Sequence, residues 1–370
     1  MKPIPYFEFR DFPAGSEAAV GTALAAAAAG KSYILGKQLQ SFEEAFARFT
    51  GAGACIGAGN GYDALVLALK AVGVGAGDEV VLPVHTFVAT VNAVLQVGAK
   101  PVLVEPDRLT YNLTAATAAP AINAKTKALL PVHLYGQVCA MAPLLQLAEA
   151  HSLKIVEDAA QAHGAIYKGR QAGTFGAAAA FSFYPTKNLG ALGDAGAVVT
   201  NSAAIADFVR MYRNYGEVQK YQSEVVGINS RLDELQAAVL RVKLPFLNQL
   251  NAERQRLAAS YIQELQGFGD CILPVAAPDC GHVYHIFNIR TKHRDALQQW
   301  LRERTIYTAI HYPVPVHLQP AYRFLGYAAG DFPVAEELAQ TSLSLPLFPG
   351  LQPAEQERVV DAVKQFFKRK

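Results

Sequence analysis

One lysine of this sequence stands in an unusually apolar setting. Lys187 follows the aromatic run at residues 181–184, and glycines at 190, 193 and 196 lead from it into a β-branched stretch. Burial in such surroundings favours the neutral amine and lowers the pKa of a lysine. A neutral amine can form a Schiff base with a carbonyl compound. The alternative is a solvent-exposed lysine in a turn, the ordinary place for this residue type, so other motifs must decide.

A phosphate-binding turn is indicated in the first quarter of the chain. Residues 55–65 predict a strand, a glycine-rich turn and the start of a helix. Backbone N–H groups at a helix N-terminus attract anions, so Gly61 and Tyr62 are candidates to hold a phosphate. Ser182, shortly before the lysine, is a third candidate. The alternative is an ordinary turn around Asn60.

Three further side chains fit an aromatic, nitrogen-containing cofactor. Asp158 ends a predicted buried strand at residues 154–158 and could pair with a protonated pyridine nitrogen; its alternative role is the N-cap of a following helix. Gln161, one helical turn later, could donate to a phenolic oxygen, or it is a solvated helix residue. Phe87 could stack on the ring, or it is plain core. With the lysine and the phosphate candidates, these residues predict a pyridoxal 5'-phosphate (PLP) site.

The elements around these residues alternate between strand and helix. Strands are predicted at 79–83, 100–104, 128–132, 154–158 and 285–290. Helices are predicted at 16–29 with Ser16 as cap, at 41–49 with Ser41 as cap, and at 86–97, 142–151, 201–213, 235–244, 248–265, 294–303, 334–341 and 354–368. This alternation predicts an α/β fold with a mostly parallel central sheet flanked by helices. Ligands of such sheets bind at the carboxyl ends of the strands.

The chain is long enough for two domains. We expect a large cofactor-binding domain over residues 1–250 and a smaller C-terminal α+β domain over residues 251–370. Residues 214–230 read as an irregular loop without regular structure.

Composition narrows the classes of function. Of 370 residues, 51% are hydrophobic and 17% are charged, which provides a sizeable core and argues against disorder. The net charge of +2 suggests no nucleic-acid partner. The four cysteines are scattered, so we expect neither a disulfide framework nor a metal site. We expect a reducing, cytoplasmic location. No signal peptide or membrane span is predicted.

Five motifs together resemble one known family. They lie at residues 60–65, 83–90, 157–164, 182–196 and 229–238. In combination they resemble the DegT/StrS group of nucleotide-sugar aminotransferases, a branch of the fold-type-I PLP enzymes. The resemblance implies that Lys187 is the Schiff-base lysine, Asp158 the partner of the pyridine nitrogen and Gln161 the partner of the phenolic oxygen.

The resemblance also implies how the phosphate is held. It places Ser182 and the backbone N–H groups of Gly61 and Tyr62 on the phosphate, with Asn229 reaching it from the neighbouring subunit of a homodimer with shared active sites. Tyr62 stands where the family often has threonine, so only its backbone is expected to contribute. His85 stands where a small polar residue is more common.

The implied reaction is a ping-pong transamination. L-glutamate would be the amino donor and a nucleotide-linked keto sugar the acceptor, with Lys187 as the acid and base that moves the proton. Some members carry histidine at this position and dehydrate sugars, so the lysine favours transamination. The rival interpretations are a PLP-dependent sugar dehydratase and a non-catalytic regulatory or sensor protein.

The proline-rich stretch at residues 311–317 is the most unusual part of the C-terminal region. It resembles family members that aminate C3 of a dTDP-linked 3-keto-6-deoxyhexose, which assigns Tyr184, His311 and Tyr312 to the sugar and its neighbouring phosphate. Lys220 is a candidate for the diphosphate. The alternatives are a structural surface loop, a metal site on the two histidines of this stretch, a C4 aminotransferase, and an enzyme for UDP-linked 3-keto-uronic acids.

Overall fold

The computed structural model describes residues 2–369. The strands are β1 Ala54–Ala58, β2 Glu79–Pro83, β3 Lys100–Val104, β4 Thr126–Leu129, β5 Lys154–Asp158, β6 Ile166–Tyr167, β7 Arg170–Gln171, β8 Ala178–Ser182, β9 Gly196–Thr200, β10 Glu217–Gln219, β11 Gln222–Ser223, β12 Cys280–Gly281, β13 Phe287–Arg290 and β14 Ser342–Leu345. The α-helices are α1 Ser16–Ala29, α2 Lys37–Thr50, α3 Gly61–Ala71, α4 Val88–Gln96, α5 Ala115–Ala118, α6 Met141–Ala150, α7 Ala203–Tyr212, α8 Glu234–Lys243, α9 Leu247–Leu265, α10 Arg294–Glu303, α11 Pro333–Thr341 and α12 Pro353–Lys368.

The central sheet has seven strands in the order β1-β9-β8-β5-β4-β2-β3. Neighbours from β8 to β3 pair in parallel, whereas β9 pairs antiparallel with both β8 and β1. The predicted α/β fold with a mostly parallel sheet is confirmed. Parallel pairing also brings the ends of β5 and β8, which carry Asp158 and Ser182, to the same edge of the sheet.

Strand β8 leads into the lysine and is anchored by aromatic packing. Phe181 and Phe183 contact Phe46 of α2 edge-to-face, with ring centroids 5.1 and 5.2 Å apart. Because side chains alternate along a strand, Ser182 between them faces the opposite side, where α3 begins. The alternation of aromatic and polar residues thus fixes which side chain reaches the site.

Two helix starts are capped by carboxylates from other segments. The side chain of Asp11 accepts hydrogen bonds from Gly15 N, the Ser16 hydroxyl and Glu17 N at the start of α1. Ser16 begins the helix as predicted, but it is not the capping residue. The capping carboxylate thus stands four residues before Gly15 and not at the first position of the helix.

The start of α2 shows the same effect more strongly. Glu234 accepts hydrogen bonds from the backbone N–H groups of Gly36, Gln38 and Leu39. The predicted cap Ser41 is wrong, because it lies inside the helix. The carboxylate of α8 therefore defines where α2 begins.

Two other local predictions differ from the structure. The residues after β5 form turns where a helix was predicted, since Gly164 has a positive φ of 80° and the chain reverses into β6. Residues 214–230 are not wholly irregular, because β10 and β11 form a short exposed hairpin within them.

The C-terminal region builds its own apolar core around the two-stranded pair of β13 and β14. Ile4 belongs to this core and bridges to Ile306, so the N-terminal segment packs on the C-terminal region. Helix α9 runs without a break through residue 250. The domain boundary near that residue stays a prediction. Within residues 2–369, no helix is both long enough and apolar enough to span a membrane.

Candidate active site

A cavity of about 610 Å³ lies at the edge of the sheet where β5 and β8 end. Its walls combine residues between positions 60 and 194 with residues 285, 286, 311 and 312 of the C-terminal region. Of the predicted site residues, it brings together Gly61, Tyr62, Phe87, Asp158, Gln161, Ser182, Tyr184, Lys187, His311 and Tyr312.

Lys187 borders this cavity from the turn that follows β8. Its backbone N–H donates to the carbonyl of Tyr184 over 2.8 Å. A Cβ on Gly190 would lie 2.1 Å from the carbonyl oxygen of Pro185, so the turn requires glycine there. Burial lowers the pKa of Lys187 to about 8, against a smaller opposing effect of the Asp158 charge. A near-neutral amine of this kind suits both nucleophilic attack and proton transfer.

The start of α3 forms a close cradle with Ser182. Asn60 caps the helix by accepting a hydrogen bond from Asp63 N over 2.8 Å. A Cβ on Gly61 would lie 2.5 Å from the Cβ of Ser182, so only glycine lets these segments approach. The ring of Tyr62 packs against the core. The cradle therefore presents the helix N-terminus and one hydroxyl, which is a suitable site for a phosphate.

Asp158, which also lines the cavity, is buried. Its carboxylate accepts hydrogen bonds from the Thr90 hydroxyl over 2.8 Å and from Ala160 N over 3.1 Å. Burial raises the pKa of this carboxyl, and the two hydrogen bonds oppose the rise. A cationic ring nitrogen beside it would favour the charged form. The alternative role as cap of a helix is wrong, because no helix follows.

The amide of Gln161 has a fixed orientation. Its Oε1 accepts from the backbone N–H of Tyr135 over 2.7 Å, so Nε2 is the donor and reaches the Tyr312 hydroxyl over 3.2 Å. The sequence predicted that Gln161 lies one helical turn beyond Asp158. The structure instead places it in a turn. The donor nonetheless faces the cavity.

Phe87, Tyr184, His311 and Tyr312 add aromatic rings to the wall of the cavity. Phe87 is 53% exposed even though it lines the cavity, so the alternative of a plain core residue is wrong. Its ring centroid lies 5.8 Å from that of Tyr312. The carbonyl of His311 accepts a hydrogen bond from the Tyr135 hydroxyl, and its Nδ1 lies 2.8 Å from Ser344 Oγ. Burial lowers the pKa of His311 to about 4, which keeps this imidazole neutral.

Two predicted residues lie outside the cavity of their own chain. Asn229 is exposed and donates to the Tyr215 hydroxyl over 2.8 Å. Lys220 lies at the tip of the β10–β11 hairpin, with its Nζ 5.1 Å from the ring centroid of Tyr221. Both lie in the exposed segment at residues 214–230, and neither lines the cavity.

Among the side chains that were not predicted from the sequence, Thr90 supports the site and His285 lines it. Thr90 holds the carboxylate of Asp158, and its spacing of one helical turn from Thr86 was the available signal. His285 also lines the cavity. It stands at the start of a predicted strand, where no spacing pattern distinguishes it.

Comparison with known proteins decides the family. The model of the DegT/DnrJ/EryC1/StrS aminotransferase family matches residues 16–364. The chain belongs to this family. It is 50% identical over 337 residues to the dTDP-3-amino-3,4,6-trideoxy-alpha-D-glucose transaminase of Streptomyces venezuelae, covering 91% of this chain and 89% of that protein. It is 49% identical over 332 residues to the erythromycin biosynthesis sensory transduction protein EryC1 of Saccharopolyspora erythraea, covering 90% of this chain and 91% of that protein.

The fold also matches that of solved structures of this family. The crystal structure of S. venezuelae DesV in complex with a ketimine intermediate superposes with a TM-score of 0.98, at 46% identity and with 100% of both chains covered. The family is PLP-dependent. The cavity fits this cofactor, because a cradle closed to any Cβ, a buried carboxylate and a free amine stand at separate points around it.

Proposed function

We propose that this chain transfers an amino group from L-glutamate to C3 of a dTDP-linked 3-keto-6-deoxyhexose. The observation that carries the proposal is the meeting of Lys187, Asp158 and the Gly61 cradle in one cavity. The similarity to a transaminase named for a dTDP-3-amino sugar supports the choice of nucleotide and of C3.

Lys187, Asp158 and Gln161 have different roles in this reaction. PLP, when bound, supplies a carbonyl carbon that captures amines and a ring that accepts electrons. Lys187 would bind the carbonyl carbon of the cofactor and, as a free amine, would hold or move a proton at Nζ, which its pKa of about 8 allows near neutral pH. Asp158 would place a negative charge beside the ring nitrogen. Gln161 Nε2, the donor that reaches the Tyr312 hydroxyl, would donate to the oxygen on the ring.

The sugar is proposed to lie between Tyr184, His311 and Tyr312. These side chains line the cavity, and Tyr184 is 52% exposed. The neutral imidazole of His311 can exchange hydrogen bonds with sugar hydroxyls without attracting the carboxylates of the amino donor.

We further propose a homodimer in which Asn229 and Lys220 serve the partner's cavity, on its cofactor phosphate and the substrate diphosphate. Support comes from their shared position on an exposed segment outside their own cavity. A cytoplasmic location is proposed because the four cysteines are all free thiols, as expected in a reducing compartment.

Product analysis tests the function. Purified enzyme is incubated with L-glutamate and, in separate reactions, with dTDP-linked 3-keto sugars, dTDP-linked 4-keto sugars and UDP-linked 3-keto-uronic acids, and NMR locates the new amine. We expect amination at C3 and no turnover by Lys187→Ala, which loses the reactive amine. Amination of 4-keto sugars alone, or of UDP-linked uronic acids alone, contradicts the substrate and leaves the transaminase assignment intact.

A second candidate function is ligand sensing, since one close relative carries a sensory name. The cofactor spectrum separates the two. A transaminase exposed to L-glutamate loses the yellow absorption of PLP as the amino group is transferred, whereas a sensor keeps it. A spectrum that no amino donor changes would favour the sensor.

A further inference from the structure

One histidine that the sequence singled out has no part in the function described so far. His85 is buried, and its Nε2 lies 3.1 Å from the hydroxyl of Tyr135, which is buried as well. The same hydroxyl donates to the backbone carbonyl of His311, 176 residues further along the chain. His85 and Tyr135 are therefore connected to the segment on which we place the sugar.

The carbonyl of His311 decides the direction of the contact between His85 and Tyr135. A carbonyl oxygen can only accept, and a tyrosine hydroxyl has a single proton. Since the proton of Tyr135 goes to His311, the hydroxyl oxygen accepts a hydrogen bond from Nε2 of His85. His85 thus orients the hydroxyl, and the hydroxyl binds the carbonyl.

Tyr135 also contacts Gln161 through its backbone. Its N–H donates to Oε1 of Gln161 over 2.7 Å, and Nε2 of Gln161 reaches the Tyr312 hydroxyl over 3.2 Å. Because Tyr312 follows His311 in the chain, these contacts form a closed cycle. An amide nitrogen has two protons, so the contact with Tyr312 leaves one for the oxygen on the cofactor ring.

The backbone at His311 and Tyr312 has few other restraints. Neither residue lies in a helix or strand, and neither makes a backbone–backbone hydrogen bond within residues 2–369. The imidazole of His311 contacts the Ser344 hydroxyl, which restrains the side chain of His311 and not Tyr312. The hydroxyl of Tyr135 is therefore the group that fixes this backbone by a hydrogen bond.

The cycle leaves one proton available at the cavity. The Tyr312 hydroxyl accepts from Gln161 and has no other hydrogen-bond partner within residues 2–369. Its own proton is free for an oxygen of a bound sugar. The direction of that proton depends on where the backbone at residues 311–312 lies.

We propose that Tyr135 is a positioning residue whose hydroxyl, oriented by His85, holds the backbone of His311 so that the Tyr312 hydroxyl donates to the sugar. The sugar as the ligand rests on the proposed function, whereas the hold on the backbone does not. A segment that is already ordered loses little conformational entropy on binding. Loss of the hydroxyl should therefore weaken sugar binding, and the backbone contact to Gln161 should remain.

The first test observes Tyr312 in the holoenzyme without substrate. One fluorine is introduced at this position as 3-fluorotyrosine, and ¹⁹F NMR reports the conformations of the ring. Tyr135→Phe removes the hydroxyl and keeps the aromatic ring. We expect one narrow line in the wild type, and in Tyr135→Phe a second line or a line at least about twice as broad, because the segment exchanges between conformations.

Tyr261→Phe is the matched control. Tyr261 is fully buried in the C-terminal core, and its hydroxyl also donates to a backbone carbonyl, that of Pro346, over 2.9 Å. This variant loses a bond of the same kind outside the cavity and should keep the narrow line. Equal spectra for Tyr135→Phe and Tyr261→Phe overturn the proposal.

Two variants of His85 test its part separately. His85→Leu removes the donor to the Tyr135 hydroxyl and is expected to broaden the fluorine line less than Tyr135→Phe. His85→Gln, whose amide nitrogen can replace Nε2 as donor, is expected to recover at least half of that change. Circular dichroism confirms folding of each variant. Equal broadening in both His85 variants overturns the orienting role of His85.

Kinetics then separate sugar binding from the cofactor. In Tyr135→Phe we expect the KM for the sugar to rise about tenfold, as for the loss of one hydrogen bond. The conversion of the cofactor by L-glutamate, followed by absorbance, should stay within about twofold of the wild type. An unchanged KM overturns the role of Tyr312 toward the sugar. A wild type that turns over no keto sugar contradicts the proposed function, and the fluorine spectra then still support or overturn the hold on Tyr312.

Discussion

At the scale of single residues, the site contains two ionisable groups, Asp158 and Lys187, whose charged forms are destabilised by burial. The buried carboxyl of Asp158 has a raised pKa, and the amine of Lys187 has a lowered one. Both shifts arise mainly from desolvation, which penalises the charged forms. A positively charged ring nitrogen would offset the penalty for Asp158. The charged form of Asp158 is therefore unfavourable in the cavity alone and would be stabilised by the bound cofactor.

Asp158→Asn tests this role. The amide keeps the shape and can still accept from Thr90, but it no longer stabilises a protonated ring nitrogen. We expect kcat to fall on the order of a hundredfold or more, with the fold intact. Asp207→Asn, which changes an exposed carboxylate on α7, is the control and should retain full activity. A loss of less than about threefold in Asp158→Asn would mean that the carboxylate only organises the neighbouring turn.

Much of this site was predictable because its residues sit in local motifs. Lysine after an aromatic strand, glycine at a helix start and acid at a strand end are each visible in the sequence. The position of His285 in the cavity wall and the hydrogen bond from Thr90 to Asp158 were not, because they depend on which way a side chain points after packing.

At the scale of elements, the hydrophobic periodicity predicted the type of most helices and strands. It predicted their first and last residues less accurately. Strands β2, β3 and β5 and helix α10 begin and end as predicted, since each is a buried run or an amphipathic repeat. Strand β4 ends at Leu129, earlier than the predicted residue 132. The start of α2 and the turns after β5 depend on tertiary contacts, from Glu234 and from the reversal into β6. Local sequence does not contain that information.

Gly61→Ala tests the cradle between α3 and β8. The added Cβ would lie 2.5 Å from the Cβ of Ser182, so the helix start must move away from the hydroxyl. We expect the affinity for PLP to fall at least about tenfold, because the phosphate loses part of the helix N-terminus. Titration of the cofactor-free protein, followed by absorbance, measures the dissociation constant.

Gly75→Ala is the matched control for this prediction. Nothing lies within 4 Å of a Cβ at Gly75, between α3 and β2, and its φ is not positive. The variant should bind PLP like the wild type. Equal affinity in Gly61→Ala and Gly75→Ala would place the phosphate elsewhere.

At the scale of the whole molecule, the exposed segment at residues 214–230 supports the proposed homodimer. Tyr221 is 84% exposed and Val226 is 93% exposed, an apolar surface of the kind that marks protein interfaces. Lys220 lies on this segment, and Asn229 is hydrogen-bonded to it through Tyr215. A closed two-fold dimer would cover the apolar surface and carry both polar side chains to the partner's cavity.

Mixing two inactive variants tests that arrangement. Asn229→Asp places a negative charge where the phosphate of the partner's cofactor is expected and should prevent binding at limiting PLP. Lys187→Ala removes the amine in its own chain. If Asn229 acts across the interface, each mixed dimer contains one site with both wild-type residues. After unfolding and refolding in equal amounts, about a quarter of all sites should then be active.

Each variant refolded alone is the control and should remain inactive. If Asn229 instead acts within its own chain, no site in the mixture combines an intact Lys187 with an intact Asn229, and activity stays at the level of the single variants. Light scattering on the same samples gives the oligomeric state. A wild-type protein that is fully active as a monomer would contradict the shared site directly, because Asn229 does not reach the cavity of its own chain.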